Sequence, residues 1–224
     1  MSKIDLKPLK AARHGAKRSL WPLKGNGMTR KHIDREQIVK TTIQMIDRNG
    51  GTKDVTLREI AKELNCAHTN LYNYFNNLNE IYWEALGQVI LMMLKEIERG
   101  DGEAVEPQEK LFANLERLMD FYIDHPGWYR LTWLEPLTGS PPPTVAPILA
   151  MPSRQFAEAL MLACKDPLKP QAAARICDIL FKYIYGELGI FIYQRSAFTD
   201  RAVMKVYAAQ NVRQLLTLLM GSDA

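Results

Sequence analysis

Residues 56–75 read TLREIAKELNCAHTNLYNYF, and two amphipathic segments in this stretch decide the fold. Leu57, Ile60, Ala61 and Leu64 recur at i, i+3, i+4 and i+7, which places them on one face of an α-helix. Thr56 stands where a hydroxyl caps the free amides of the first turn, and Glu59, three residues on, completes a capping-box pattern. Asn65, which tolerates left-handed backbone, predicts the helix end. After a short turn, residues 68–75 predict a very short helix with Leu71 and Phe75 together on one side.

Two turns of helix do not stabilise themselves, because nucleation costs more than so few hydrogen bonds return. Leu71 and Phe75 are therefore expected to lock against the aliphatic face of the preceding helix. His68, Thr69, Tyr72 and Asn73 are left pointing outward. That is the geometry by which a rod enters a DNA major groove about 12 Å wide.

Working outward, Val39, Ile43 and Ile46, widened by Ile38 and Met45, predict a helix that begins near Asp34 and is stopped by Asn49-Gly50-Gly51. Downstream, Ile81, Ala85, Val89, Met92 and Met93 predict a long helix over residues 79–99, ending at Gly100-Asp101-Gly102, a plausible hinge. Further helices are expected near 107–124, 127–135, 146–164, 169–195 and 200–220, separated by proline-containing breaks. The expectation is an all-α chain of about nine helices, with an irregular first turn where Pro152 precedes Ser153.

The run from Thr56 to Phe75 resembles the signature of the tetracycline-repressor (TetR) family, in which a T-x-x-x-I-A helix precedes a short L-Y-x-x-F recognition helix. The amphipathic helix before it and Glu80 opening the long helix after it match in order and spacing, and His125-Pro126-Gly127 is similar to a junction common in that family. The resemblance implies a helix-turn-helix DNA-binding domain over residues 32–84 and a helical effector-binding and dimerisation domain over 85–224. It implies that Arg58, His68, Thr69 and Tyr72 approach base edges, while Thr56, Asn70, Asn73 and Tyr74 mainly position phosphates. The first group would set sequence preference and the second affinity and register. Two positions depart from the pattern: Leu78 stands where family members usually carry a phosphate-gripping lysine, and Asn65 where many have glycine.

Charge is unevenly spread. Residues 1–31 hold nine Lys or Arg against the single Asp5, a net of +8 in a chain whose total is +4, so the remainder is mildly acidic at −4. This Pro- and Gly-interrupted segment reads as a mostly disordered basic arm, with Met28 a second candidate start, and it suits a polyanion partner. Its cations would compensate for the missing lysine, for instance by following an adjacent minor groove.

The three cysteines, Cys66, Cys164 and Cys177, are far apart and form no paired motif, which favours a reducing, cytoplasmic setting. Cys66 reads as a small buried hydrophobe in the turn, where the family usually has valine. Asp178, Lys182 and Glu187 interrupt the longest apolar candidate, so no membrane span is expected. The four histidines are scattered and there is no phosphate loop, metal-ligand spacing or nucleophile elbow, so neither an enzyme, a metal nor a cofactor is expected. The alternatives are a sequence-indifferent architectural protein using the basic arm, and an all-α enzyme whose site assembles only in three dimensions.

Ala172, Ile176, Ile179, Leu180 and Tyr183 make a broad stripe in the eighth predicted helix, and Val212, Leu215, Leu216 and Leu219 another in the ninth. The resemblance implies that these helices pair with their symmetry mates as a homodimer, setting two recognition helices about 34–36 Å apart on a double-stranded operator. Gly186 and Gly189 would permit close approach there, or tight packing within one chain. Met119, Tyr122, Trp128, Trp133, Phe156 and Tyr183 are candidates to line a pocket for an apolar small-molecule effector, with His125, Arg130 or Glu135 as polar contacts. An effector would favour a spacing of the DNA modules that no longer fits the operator, so repression relieved by ligand is the expected mode.

Overall fold

A computed structural model describes residues 33–99, 106–164 and 167–221. The basic arm and the Gly100–Gly102 hinge expectation lie outside these residues. Helix α1, Arg35–Asn49, starts where the Asp34 side chain accepts the Gln37 amide and stops at Gly50, whose left-handed φ of 69° releases the chain. Helix α2, Leu57–Glu63, is capped by Thr56, and a 3-10 helix, His68–Asn73, follows. Helix α3, Leu78–Glu98, is capped by Asn77. Then come α4, Pro107–Asp124, and α5, Pro126–Trp133; the short α6, Ala146–Leu149, and α7, Met151–Ala163; and the long α8, Pro170–Ile192, and α9, Arg201–Gly221. Among the described residues the chain is all-helical.

Two expectations change. The segment predicted as one helix over 146–164 divides at Ala150, because Pro152 in the first turn of α7 has no N–H to donate and its ring crowds the carbonyl four residues back. The very short helix expected over residues 68–75 is a 3-10 helix over His68–Asn73. It starts from extended Ala67 with no side-chain cap, and tight i→i+3 turns suit a piece only six residues long.

The described residues form one compact unit, and residue 84, where the sequence reading ends the first domain, lies within the continuous α3. Helix α1 rests on α3 and α5, while α4 runs between α3, α7, α8 and α9. Gly127 makes the α1–α5 contact possible. A Cβ there would lie 2.9 Å from both Asp47 Cα and the Ile46 carbonyl carbon, so the two backbones meet directly. Around this contact Trp128 donates its indole N–H to the Ile43 carbonyl at 3.1 Å, and the His125 ring stacks on Trp128 at 3.7 Å. His125 Nδ1 also lies 2.9 Å from Asp47 Oδ2. The loop after α5 reaches back in turn: Asn79 and Thr138 bond reciprocally, and Trp83 donates to the Thr138 carbonyl at 3.1 Å. No described helix is long and apolar enough to cross a membrane.

Candidate nucleic-acid interface

The capped α2 and the 3-10 helix are assembled back to back. Thr56 Oγ1 accepts the Glu59 amide at 3.3 Å, while the Glu59 carboxylate sits 3.5 Å from Lys62 Nζ. Helix α2 ends as Asn65 enters the left-handed region at φ 54°, and the Cys66 amide returns to the Ala61 carbonyl at 2.9 Å. The Cys66 side chain is half-buried, and that burial raises its thiol pKa, which disfavours the reactive thiolate. Leu71 and Phe75 are buried together with Ile60 and Ala61, while Leu57 and Leu64 stay half-exposed at the rim.

At three residues per turn, side chains at i and i+3 eclipse. Thr69 and Tyr72 therefore form one row and Asn70 and Asn73 a second, and all four are exposed; Tyr72 retains 54% of its surface. His68 shares the face of Leu71 but lies exposed at its edge, and Thr56 and Arg58 are exposed on the preceding turn and helix. The fold thus brings seven of the eight sequence-chosen residues to solvent. Tyr74 differs: it is half-buried, and its hydroxyl donates to the Ile33 carbonyl at 2.6 Å. Its hydrogen is committed to bracing the element.

A second brace was illegible in the sequence. Arg35, at the start of α1, donates to the Tyr74 carbonyl and pairs with Glu84 and, at 2.9 Å, with Glu80. Its guanidinium also stacks 4.1 Å over the Phe75 ring. Glu80 meanwhile accepts the Asn76 amide at 2.8 Å and its side-chain amide at 2.9 Å. One cation therefore fixes the exit of the 3-10 helix to the start of both α1 and α3. Leu78, half-buried in the first turn of α3, supplies no charge.

A second feature is a cavity of about 90 Å³ between α3, α4, α7 and α8. Buried Met93, Leu94, Leu115 and Phe156 are among its walls, and Glu98, Asn114 and Gln155 are its polar lining. Of the six residues read as pocket-forming, Phe156 lines it. The others pack elsewhere. Trp128 faces α1, and Trp133 is 44% exposed and stacks on Tyr185 at 3.7 Å. Tyr183 accepts from Asn211 of α9 at 2.7 Å. Tyr122 sits edge-on between Tyr129 and Tyr185, where burial pushes its hydroxyl up to about 12. Met119 is fully buried in α4. The proposed polar contacts are likewise engaged away from the cavity, His125 with Asp47 and Arg130 with Glu135 at 2.6 Å.

No family model matches the chain, and no curated protein matches it by sequence. Solved structures do match by shape. A TetR-family transcriptional regulator from Streptomyces coelicolor superposes with a TM-score of 0.66 at 16% identity, covering 84% of this chain and 82% of that one. The fold is that of the TetR-family regulators. BioQ with its double-stranded DNA operator matches at a TM-score of 0.57 and 16% identity, over 84% of this chain and 98% of its own. A TetR variant from Acinetobacter baumannii in complex with minocycline matches at 0.59 and 13%, over 86% and 99%.

In this TetR-type fold α8 and α9 pack on each other and present outward surfaces that differ from the stripes read in the sequence. Ile176, Leu180, Val212 and Leu216 are buried inside the chain. Of the same stripes Ile179 is exposed and Ala172, Tyr183, Leu215 and Leu219 are half-buried, and the outward apolar surface is completed by Ile190 on α8, with Val203, Val206, Tyr207 and Leu218 on α9. The reason is that α9 is apolar on both sides, and its inward side is taken by Met204, Ala208, Val212 and Leu216. Gly189 approaches Tyr129 so closely that a Cβ would lie 2.5 Å from its hydroxyl, whereas Gly186 faces open space.

Proposed function

We infer that this protein is a sequence-specific, DNA-binding transcriptional regulator that acts as a homodimer and represses until a small apolar ligand releases it from a palindromic operator. The observation that carries the reading is the pair of exposed rows, Thr69 with Tyr72 and Asn70 with Asn73, on a short rod braced from behind by Leu71 and Phe75. A six-residue 3-10 helix held by an arginine clamp, yet offering two uncovered polar and aromatic rows, is built to be read against rather than packed against. Support also comes from the fold shared with BioQ, solved on its DNA operator, and with a TetR variant solved with minocycline. The exposed apolar residues of α8 and α9 are the surface through which two copies would pair, placing two recognition elements on one side of a duplex.

Selection of bound sites from a random DNA pool, followed by footprinting, tests this directly. The expected product is a two-fold motif with half-sites about one turn, or a multiple of it, apart. Replacing Tyr72 by Ala is expected to cost about 1–3 kcal/mol, roughly five- to 150-fold, against the selected site while leaving non-specific affinity nearly intact. Sequence-indifferent binding would favour an architectural role instead, and an absence of DNA binding would remove the regulator reading altogether.

A further inference from the structure

The cavity between α3, α4, α7 and α8 is graded from dry to wet. At its deep end Met93, Leu94, Leu111, Leu115, Leu118 and Phe181 are all buried. Its polar lining, Glu98 at the last residue of α3, Asn114 on α4 and Gln155 on α7, lies where the walls are half-exposed or exposed. The opening is thus polar and the interior aliphatic.

Size narrows the occupant. A volume of about 90 Å³ is smaller than that of a cavity known to hold a benzene ring, about 150 Å³. A fused-ring skeleton does not enter such a space; a slender alkyl end of three or four carbons does. Charge narrows it further. Among the described residues the lining carries one ionisable group, the Glu98 carboxylate. Of the cations in the adjoining turns, Arg99 pairs with Glu96 at 2.8 Å, while Arg117 keeps its charge and donates to two neutral acceptors, the Ile97 carbonyl at 3.2 Å and Asn114 Oδ1 at 2.9 Å. Hydrogen-bond donors are what a carboxylate at the rim accepts, and an anionic head would be repelled there.

We propose that the effector is an amphiphile with a slender alkyl end seated in this cavity and a hydrogen-bond-donating head, an amine or an alcohol, at the Glu98 rim. The inference rests on the reading of the protein as ligand-responsive, and it names the ligand class that reading leaves open. It separates this cavity from one made for a multi-ring molecule, and from one made for a fatty acid.

The test uses the full chain and a homologous set of probes, ethyl- to octylamine with the matching alcohols and carboxylates, followed by NMR titration at fixed ionic strength. Affinity is expected to rise about fourfold per methylene and to level off once three or four carbons are seated. The hexyl amine is expected to bind more tightly than hexanoate by about two- to twentyfold, the product of one exposed attraction and one exposed repulsion. Glu98→Gln should erase that difference and leave hexanol unchanged. Ala159, on α7, also lines the cavity, so Ala159→Phe, or the milder Ala159→Leu, fills it and should abolish binding of every probe in a chain whose thermal unfolding remains cooperative.

Hexanoate binding as tightly as hexylamine, a preference that survives Glu98→Gln, binding that survives both Ala159 variants, or no saturable binding of any probe would each overturn the proposal. Operator binding is measured alongside. If the amines bind as expected yet leave operator affinity unchanged, the ligand-release reading fails and the ligand class stands. If the operator is released by a compound that the hexyl probes do not displace, the ligand class fails and the release reading stands.

Discussion

Gly127→Ala probes the seat of α1 on α5. Alanine favours helix over glycine by about 0.5–1 kcal/mol, so in an open position this change stabilises. Here the new Cβ would lie 2.9 Å from Asp47 Cα and from the Ile46 carbonyl carbon, inside the 3.0 Å that real Cβ atoms essentially never cross. The obstructing atoms are backbone, with no flexible end to swing aside. The Ile46 carbonyl oxygen stands closer still, so reaching ordinary contact at 3.4 Å requires α5 to withdraw from α1 by about an ångström.

That withdrawal stretches the Trp128–Ile43 bond from 3.1 Å and the His125–Asp47 contact from 2.9 Å. Overpacking of this kind costs about 1–3 kcal/mol and a weakened hydrogen bond about 1 kcal/mol, against the helix gain above. A net loss of about 1–3 kcal/mol remains, which lowers Tm by about 2–12 °C in a chain of this size. Urea and thermal unfolding are to be followed at one fixed protein concentration, because any self-association makes stability depend on it. Trp128→Phe, which removes the indole donor without any clash, is the comparison and should cost about 1 kcal/mol. Gly127→Ala unfolding within about 0.5 kcal/mol of the parent would refute the direct meeting of the two backbones.

Tyr74→Phe removes the hydroxyl that reaches the Ile33 carbonyl and is expected to cost about 0.5–1.5 kcal/mol in urea unfolding, whereas a free hydroxyl would cost nothing. Glu80 is held below the usual carboxylate value of 4.5 by the Asn76 amide first of all, with burial opposing and Arg35 and the Asn76 side chain adding to the depression. A lowered folded-state pKa contributes stability that is present above 4.5 and is lost as pH falls through the folded value. Glu80→Gln should therefore flatten the fall in urea midpoint between about pH 5 and about pH 3, and curves parallel to the parent's would refute the coupling. Val206→Glu places a charge on an outward position of α9 that is 57% exposed in the single chain. It should yield a well-folded monomer by ultracentrifugation that has lost tight operator binding, and a dimer undiminished by the change would remove this face as the pairing surface.

The elements most legible in the sequence are those whose signals are local. Asp34 and Thr56 each cap a helix with their own side chain where the sequence reading starts one, Gly50 and Asn65 each take the left-handed backbone that ends one, and the stripe containing Ile60 and Ala61 does face inward. What could not be read locally is which neighbour each aromatic side chain meets. Trp128 and Trp133 are five residues apart on α5, yet one turns to the Ile43 carbonyl of α1 and the other to the Tyr185 ring of α8. Periodicity states which residues share a face, and the crossing of helices far apart in sequence decides what that face touches.

The Arg35 clamp is illegible for the same reason: it joins residues 39 to 49 positions apart. The cavity is a sharper case. An aromatic stripe marks where large side chains will fill space and find each other, as Tyr122, Tyr129 and Tyr185 do. A cavity forms where side chains fail to meet. Its walls are accordingly mostly aliphatic, drawn from the far end of α3, the middle of α4, and α7, and the sequence pattern that picks out bulky residues is biased against finding it.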